Sequence, residues 1–456
     1  MTGPSGAAAR KAAEAQAADA VARADADPAG AVGAALRALL HRRLAGAAAL
    51  DERFARELAH PLADFTLSGG HRRRAALLWW GWRACGGARR GERPDAVLDL
   101  AAAVELIQSC ALVHDDVMDG SRTRRGRPAL HIAQAAPPPT PSDGRPEHAR
   151  PEPGRPGHGP AERPAPHVEE RGRAAAAEAR RRTPEPDRPG SEPDTPGSHP
   201  TAGAGPGSAA GREGAAPYGW SVAVLAGDLA LAWADDTVAE AGLTVEARRR
   251  VEAVWRDLRT EMVAGQYLEL RAQAAGDRSA GQALRTARLK SALYSVARPL
   301  DLGAAVAGAG EEVRRGLRLA GGCAGLAFQL RDDLLGVFGD PAETGKPSGD
   351  DIREGKPTYL AALARARAAA ADDHGALRVL DSAMGDRALD PAALAAVREV
   401  ITATGARAAV ESRIALLAER CAHRLRELPL DAWPRARMLD VLLTATGLPP
   451  GSAPGR

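Results

Sequence analysis

An 83-residue stretch with almost no large apolar side chains divides this chain of 456 residues into two parts. Residues 135–217 hold 19 of the 34 prolines and a single valine, and they contain no Leu, Ile, Met, Phe, Trp or Tyr. Such a composition cannot bury enough apolar surface to offset the entropy lost on ordering, so it predicts a disordered insertion with room for one short helix. The residues on either side must then build one domain together.

The flanking residues, 31–134 and 218–450, are predicted to form a single all-α domain. Their apolar residues recur at the helical period in long runs such as AVLDLAAAVELIQSCALV and RGLRLAGGCAGLAFQLRDDLLGVF. Alternation of apolar and polar residues, which is the pattern of half-buried strands, is scarce. Residues 1–30 are Ala-rich and weakly patterned, and we expect them to be disordered.

Charge and hydropathy exclude several classes of protein. The net charge of +3 is too small to indicate a nucleic-acid-binding surface. No apolar run reaches eighteen uncharged residues and no compact apolar stretch resembles a secretory signal, so neither a membrane span nor export is predicted. Cys85, Cys110, Cys323 and Cys421 lack metal-site spacing and are expected to be buried thiols in a reducing compartment, which indicates a cytoplasmic protein.

The first motif with chemical potential is HDDVMDGSRTRRGRP, residues 114–128. On a helix, Asp115 and Asp119 lie four residues apart and so share one face. One interpretation is a solvated acidic surface. The other is a magnesium site, because this ion takes one or two carboxylates and completes its shell with water and substrate phosphates. On the second interpretation, Arg124 and Arg125 are placed to bind a phosphate.

A second acidic motif follows more than two hundred residues later, in FQLRDDLLGVFGDPAETGKPSGDDIREGKPT, residues 328–358. An apolar helical run again ends in paired aspartates, Asp332 and Asp333, and a Gly/Pro-rich loop with Lys346 and Lys356 comes next. If the two helices face each other, their carboxylates could hold several magnesium ions around one diphosphate. Those ions would draw off negative charge as the diphosphate leaves.

In the order of its motifs, the chain resembles the trans-isoprenyl diphosphate synthases of the polyprenyl synthetase family. GGHRRR at 69–74, AGDLALAWA at 226–234, GQYLEL at 265–270 and KSALYS at 290–295 match the family in order and spacing, as do both acidic motifs. The resemblance covers roughly residues 35–440 apart from the insertion. It implies the isoprenoid synthase fold, a bundle of long antiparallel helices around a deep apolar cavity, usually as a homodimer.

The resemblance also implies a magnesium cofactor and a set of site residues. Asp115 and Asp119 would bind two magnesium ions and Asp332 a third, with Asp116 and Asp333 beside them. The implied catalytic residues are Asp115, Asp119, Asp332 and Lys290. Residues that would bind the allylic diphosphate are Arg124, Lys290, Gln329, Lys346 and Lys356. Those that would bind isopentenyl diphosphate are His71, Arg74, Gln108 and Arg125. Gly70 and Ser291 are further implied substrate-binding residues.

The implied reaction extends an allylic diphosphate with isopentenyl diphosphate and releases pyrophosphate. Water would quench the allylic cation, so the cavity must be dry. Family members that stop at fifteen carbons have bulky aromatic residues one turn before the first aspartate, where this chain has Cys110 and Ala111. The first predicted obstruction is then Ile107, about one helical turn deeper, which favours a twenty-carbon geranylgeranyl or longer product.

One departure from the family pattern lies in the first basic motif. His71 stands where the family usually has a lysine, so one charge of the isopentenyl site becomes titratable, with an ordinary imidazole pKa of about 6.5. Arg72 or Arg73 could supply the charge instead. We therefore expect weaker binding of isopentenyl diphosphate rather than none.

The other departure is Gly336, where many members have the third aspartate of the second motif. Asp340 could replace it only if the backbone turns, because it lies eight residues beyond Asp332, about 12 Å along an ideal helix. The two departures leave a catalytically weak partner subunit as one alternative. A class I terpene cyclase is another, although its second metal motif typically needs asparagine and the chain has none. A third is an all-α scaffold whose acidic helices are merely exposed.

The insertion itself has two interpretations. The simpler one is a tolerated surface loop, and the other is a tether or recognition segment for a partner protein. The chain bears a weaker likeness to polyprenyl transferases packaged as cargo inside encapsulin shells, which would make a protein shell the partner.

Overall fold

The computed structural model describes residues 4–89, 93–135, 215–340 and 348–447. The prediction of an all-α fold is confirmed, since the strands in these ranges are two residues long each. The predicted insertion falls almost wholly outside the described residues, as does Lys346. Described residues on both sides of the long gap belong to one compact unit.

The described elements are helices of three to 31 residues and two short strands. In chain order they are α1 (Pro4–Ala26), α2 (Pro28–Leu50), α3 (Glu52–Phe54), α4 (His60–Leu67), α5 (Arg73–Ala84), α6 (Pro94–Asp119), β1 (Thr123–Arg124), β2 (Arg127–Pro128), α7 (Leu130–Ala133), α8 (Ala215–Glu240), α9 (Val245–Ala275), α10 (Ala280–Ala287), α11 (Arg298–Val306), α12 (Glu311–Phe338), α13 (Asp350–Arg353), α14 (Tyr359–Ala370), α15 (His374–Ala383), α16 (Pro391–Ala403), α17 (Ala406–Glu427) and α18 (Ala432–Thr446). Two π-helical segments, Ala55–Ala59 and Arg288–Ala297, connect α3 to α4 and α10 to α11.

Helix α1 covers most of residues 1–30, for which the composition predicts disorder. Asp25 near its end accepts a hydrogen bond from Trp79 Nε1 at 2.9 Å and pairs with Arg83 at 2.7 Å. The side chains of Asp25 and Arg83 are both more than four-fifths buried. These long-range contacts join the end of α1 to α5, and the local composition gives no sign of them.

Local sequence signals set the limits of the site-bearing helix α6. Pro94 occupies its first turn, where the missing N–H costs nothing, and Gly120 ends it in the left-handed region at φ +64°. The first acidic motif therefore lies in the last turn and a half of this helix. Helix α8 packs along α6, and the π-helical segment Arg288–Ala297 packs against both α9 and α12. The acidic end of α6 therefore belongs to the helix that α8 packs along, and Lys290 of the π-helical segment reaches Asp115 in it.

The core is built from small and aromatic residues that allow close helix approach. Trp79 and Trp82 of α5 are fully buried, with ring centroids 4.9 Å apart. A Cβ on Gly303 would lie 2.6 Å from the backbone nitrogen of Trp82, so α5 and α11 meet at a distance that only glycine permits there. These contacts show that α5 and α11 are closely packed.

Among the described helices, α6 is the one long and apolar enough to cross a membrane by length and composition alone. Its most apolar window is 72% buried inside the protein, as in the core helix of a bundle.

Candidate active site

A β-hairpin follows the first acidic motif and places the Arg124 side chain against its carboxylates. Arg125 and Gly126 form the hairpin turn with φ of +54° and +72°, and Arg124 pairs with Arg127 across it. Arg124 Nε then donates to Asp116 Oδ1 at 2.8 Å, and its Nη2 lies 3.5 Å from Asp115 Oδ2. The sequence predicted a phosphate ligand in Arg124, and the structure holds that guanidinium beside the carboxylates.

Lys290 joins the first motif to helix α9. Its Nζ donates to Asp115 Oδ1 at 2.9 Å and makes a short ion pair with Glu269. A Cβ on Gly265 would lie 2.5 Å from Lys290 Cα, so glycine at this position lets α9 approach the π-helical segment closely. Burial acts to raise the pKa of Asp115, but Lys290, Lys356 and Arg124 outweigh it and hold that pKa below its usual range. Sequence reasoning missed Glu269, although it lies in the quoted motif GQYLEL.

Lys356 connects the first motif to the loop that follows the second. Its Nζ lies 3.1 Å from Asp119 Oδ2 and 2.7 Å from Glu354 Oε2. Burial alone would lower the pKa of Lys356, but Asp119, Asp351 and Glu354 raise it well above its ordinary value. The lysine therefore stays charged at neutral pH. The structure thus brings the two predicted motifs together through this lysine.

The second motif presents one accessible and one buried carboxylate at the end of α12. Asp332 is exposed, whereas Asp333 is buried and accepts a hydrogen bond from Gln329 Nε2 at 2.8 Å. Burial raises the pKa of Asp333 well above its usual value, and the charge of Asp351 adds to this. Helix α12 ends at Phe338, so Asp340 lies past its end and is exposed.

A basic set of three arginines surrounds one buried carboxylate beside the first motif. Arg72 Nη1 lies 3.1 Å from Glu105 Oε2, and both side chains are only 10% exposed. The positive charges of Arg74 and Arg125 also attract the Glu105 carboxylate. Three guanidinium groups and one carboxylate leave an excess of two positive charges, which suits a diphosphate.

Gly69 makes room for one of these arginines. A Cβ on Gly69 would lie 2.7 Å from Arg125 Nε, and the next residue, Gly70, has φ of +78°. Arg72 and Arg125 both adopt positive φ, which is uncommon outside glycine and recurs at functional sites. The two glycines of GGHRRR therefore serve to seat the Arg125 side chain.

Arg74 reaches the opposite wall of the site. Its Nη2 donates to Ser295 Oγ at 2.8 Å, and its guanidinium lies 5.0 Å from the centre of the Tyr294 ring. The Tyr294 hydroxyl donates a short hydrogen bond to Gln108 Oε1. The predicted pair Arg74 and Gln108 is thus brought together by Tyr294, which sequence reasoning did not single out. The four-residue spacing of Lys290 and Tyr294 in KSALYS was the available signal.

Two predicted residues lie apart from these contacts. His71 is exposed at the edge of the basic set, and Ser291 is half-buried next to Lys290. Arg73 faces Arg331 and Arg74, and burial together with these cations lowers its pKa. Of the arginines that could stand in for His71, Arg72 is the one paired with Glu105.

The predicted chain-length residues lie one and two turns below the first aspartate. Ile107 and Cys110 are buried and Ala111 is half-buried. Cys110 Sγ lies 3.8 Å from His114 Nδ1, and His114 Nε2 lies 3.0 Å from the carbonyl oxygen of Val224. Cys110 thus faces α8. Its burial raises its pKa to about 12.

The donor set fits a metal that is shared with a substrate. Carboxylate oxygens are the hard ligands that magnesium prefers, and Asp116 Oδ2 is buried with no hydrogen-bond partner among the described residues. Over the same ranges, no three His, Cys, Asp or Glu side chains are arranged to hold an ion by themselves. The acidic residues are instead neutralised by Lys290, Lys356 and Arg124. That balance suits an ion arriving with phosphate ligands, since magnesium usually keeps water and substrate oxygens in its shell.

An all-helical bundle with two acidic helix ends and a separate set of basic groups is the arrangement expected of a synthase acting on diphosphates. The polyprenyl synthetase family model matches residues 55–137 and 211–399, and the chain belongs to this family. It is therefore a trans-isoprenyl diphosphate synthase, a prenyltransferase that elongates prenyl diphosphates. Members of the family use a divalent metal ion.

Several proteins similar to this chain are enzymes of this type. A crystal structure of geranylgeranyl pyrophosphate synthase from Corynebacterium glutamicum, complexed with isoprenyl diphosphate and magnesium, is 33% identical with a TM-score of 0.71, covering 91% of this chain and 97% of that one. A geranylfarnesyl diphosphate synthase of Aeropyrum pernix is 26% identical over 82% of this chain and 89% of its own. A geranylgeranyl diphosphate synthase of Mycobacterium tuberculosis is 28% identical over 70% of this chain and 65% of its own.

Proposed function

We propose that the protein condenses isopentenyl diphosphate with an allylic diphosphate in a magnesium-dependent reaction, giving geranylgeranyl or a longer trans-polyprenyl diphosphate and pyrophosphate. The observation that carries the proposal is the pairing of Lys290 with Asp115 and of Lys356 with Asp119, at 2.9 and 3.1 Å. These pairs put fixed cations and potential metal ligands at one end of α6. A departing pyrophosphate needs both.

The allylic side of the site is assigned to the cations around the first motif. Magnesium, when bound, would be held by Asp115, Asp119 and Asp332 and would supply positive charge to the leaving pyrophosphate. Lys290, Lys356 and Arg124 would bind the phosphate oxygens directly. Their present carboxylate partners keep the three cations oriented and charged before the substrate arrives.

The isopentenyl side is assigned to the basic set Arg72, Arg74 and Arg125. Its excess positive charge would hold the second diphosphate while the double bond attacks the allylic carbon. The proton lost from the isopentenyl chain would pass to the released pyrophosphate. The buried wall formed by Ile107 and Cys110 would keep water from the allylic cation.

Product length is assigned to the same wall. Ile107 is fully buried, whereas Ala111, one turn nearer the aspartates, carries only a methyl group. Relatives named as geranylgeranyl and geranylfarnesyl synthases agree with a product of twenty carbons or more, whereas others are named farnesyl diphosphate synthases, so the assignment is carried by the wall residues. The test is to incubate the protein with magnesium, isopentenyl diphosphate and allylic starters of five to twenty carbons, and to read chain length by chromatography. A product of ten or fifteen carbons, or turnover unaffected by a chelator, would contradict the proposal.

A weakly active partner subunit is the second candidate. It is supported by the exposed His71 in place of lysine and by Gly336 in the second motif. In that case the isolated chain would release pyrophosphate slowly and a second synthase subunit would restore the rate. Full turnover of the purified chain alone would eliminate this candidate.

A homodimer is part of the proposal. Trp220, Val224 and Leu225 lie on the outer side of α8 and are 49%, 42% and 57% exposed. Covering these side chains with a second copy would remove a costly apolar surface from water. Size-exclusion chromatography with light scattering tests this.

A cytoplasmic location and a shell partner that binds residues 135–217 complete the proposal. Both rest on composition and on the weaker likeness to encapsulin cargo. Co-purification of a shell protein with the full chain, and its loss when the segment is deleted, would support the shell.

A further inference from the structure

Two adjoining cavities beside the loop that joins α9 to α10 share two arginines and one aspartate. The larger cavity has a volume of about 430 Å³, opens to solvent and is lined by Gly276, Arg278, Ser279, Arg365 and Asp381. The more enclosed one shares those three charged residues and adds an apolar lining of Pro357, Ala361, Ala362, Leu380 and Met384. Together they form one groove, here called the Arg278 groove, with charge at its open part and apolar side chains at its enclosed part. Its size is that of a small-molecule site.

Asp381 bridges the two arginines of the groove. Arg278 Nη1 donates to Asp381 Oδ1 at 2.5 Å, and Arg365 donates to both carboxylate oxygens, at 2.9 and 3.3 Å. Two arginines and one aspartate leave a net charge of +1. The side chains of Arg278, Arg365 and Asp381 are 34%, 42% and 41% exposed. Because ion pairs with this exposure are weak, a competing anion can take the place of the Asp381 carboxylate.

The lining of the groove indicates the chemistry of such an anion. Arg278 lies in the loop before α10 and Arg365 in α14, and Asp381 shows that one oxyanion can bridge them. With Asp381 turned to solvent, two positive charges remain, which matches a phosphate ester with its charge of roughly −1.5 to −2 at pH 7. Guanidinium groups also fit phosphate oxygens geometrically. The apolar part of the groove favours a short hydrocarbon chain on the phosphate.

The groove adjoins the active site without being part of it. None of its lining residues is assigned to a metal ion or to either substrate. Pro357, however, directly follows Lys356, whose Nζ lies 3.1 Å from Asp119 Oδ2. A ligand that contacts Pro357 would therefore lie next to the segment that carries this lysine.

We propose that the Arg278 groove is a second binding site, for a phosphate monoester with a short apolar chain. Arg278 and Arg365 bind the phosphate oxygens in place of Asp381, and the chain lies against Leu380 and Met384. The proposal goes beyond the condensation reaction and does not depend on it.

The methionines of the chain allow the two sites to be observed separately. The chain has five of them, so labelling with methyl-¹³C methionine gives a simple spectrum. The Met384 signal reports on the groove, and the signal of Met118, which lies within the first acidic motif, reports on the active site. Met384→Leu and Met118→Leu assign these two signals. The probe is isopentenyl monophosphate without magnesium, compared with inorganic phosphate and with glycerol 3-phosphate, whose body is polar.

We expect the Met384 signal of the wild-type protein to shift and saturate with isopentenyl monophosphate. The other two anions should bind there about tenfold more weakly, because neither buries an apolar chain. Arg278→Gln combined with Arg365→Gln should weaken binding of the probe about tenfold or more. The matched control is Arg407→Gln, since Arg407 is 44% exposed and pairs with Glu411 at 2.9 Å, and it should stay within about twofold.

Asp381→Asn distinguishes a binding site from a merely structural ion pair. It removes the competing carboxylate, so the probe should bind about threefold or more tightly, whereas loss of a structural contact would not improve binding. This variant keeps the test decisive if thermal melting shows that the double arginine variant is unfolded. A Met384 signal that does not move, unchanged affinity in a folded double arginine variant, or weaker binding in Asp381→Asn would overturn the proposal. Equal affinity for glycerol 3-phosphate would refute the apolar ligand class. Failure of the proposed function would look different, because Met384 would still respond in a protein that condenses no substrates.

Discussion

Replacing residues 136–214 by a linker Gly-Ser-Gly-Ser should stabilise the protein. The two ends of this segment are neighbours, because a Cβ on Gly219 would lie 3.0 Å from Ala135 Cα. Adding a Cα–Cβ bond, the two Cα atoms lie within about 4.5 Å of each other. Helix α8 runs back from Gly219 to Ala215, about 6 Å along its axis. Four linker residues reach about 13 Å, which spans the gap with slack.

The expected gain follows from loop closure. If the segment is the flexible chain that its composition predicts, each halving of its length lowers the closure cost by about 0.6 kcal/mol. Going from about 80 residues to four is a little over four halvings, so the free energy of unfolding should rise by about 2.5 kcal/mol. For a domain of roughly 340 residues this corresponds to a rise of about 4 °C in the melting temperature.

The measurement is urea unfolding followed by circular dichroism, with condensation activity as a second readout. The matched control carries the same segment with its sequence scrambled, which keeps loop length and composition. This control should unfold at the same urea concentration as the wild-type protein. A shortened protein that is less stable by more than about 2 kcal/mol, or insoluble, would show that the segment contributes to the folded core. Destabilisation by scrambling alone would point to a specific structure within it.

Further predictions concern single residues. Asp115→Ala removes a carboxylate that binds Lys290 and would bind metal, so steady-state turnover should fall on the order of 100-fold or more; near wild-type turnover would end the metal assignment. Arg74→Ala should raise the Michaelis constant for isopentenyl diphosphate about tenfold or more, because it removes a partly buried charge. His71→Ala, at an exposed position, should change that constant less than about threefold. A larger effect of His71→Ala than of Arg74→Ala would show that His71 is the residue that binds isopentenyl diphosphate. Burial raises the pKa of Cys110 to about 12, so its thiolate fraction at pH 8 is about one in ten thousand. Iodoacetamide should therefore leave Cys110 unmodified in the native protein and label it in urea, as read by peptide mass spectrometry. Ile107→Ala should lengthen the product and Ala111→Phe should shorten it, as read by chromatography, and an unchanged length in both would place the cavity floor on another helix.

The helices and most of the chemistry they carry follow from local sequence. Helical periodicity, the terminal Gly120 and the four-residue spacing of Asp115 and Asp119 are local properties, fixed by backbone geometry within a turn or two. They sufficed to predict an all-α fold and an acidic face at the end of one helix. The order of the short motifs sufficed for the family.

Which charges meet, by contrast, is set by the packing of the folded bundle. Lys290 and Asp115 are 175 residues apart, and the approach of Glu269 to the same lysine depends on Gly265 bringing α9 against the π-helical segment. No local pattern encodes such a distance, because it is set by how the helices pack. The same holds for Asp351, which the sequence places fifteen positions beyond Gly336 and the fold places against it. A buried charge is stabilised only by the partner that packing brings within a few ångströms, so the site's electrostatics is a property of the assembled bundle.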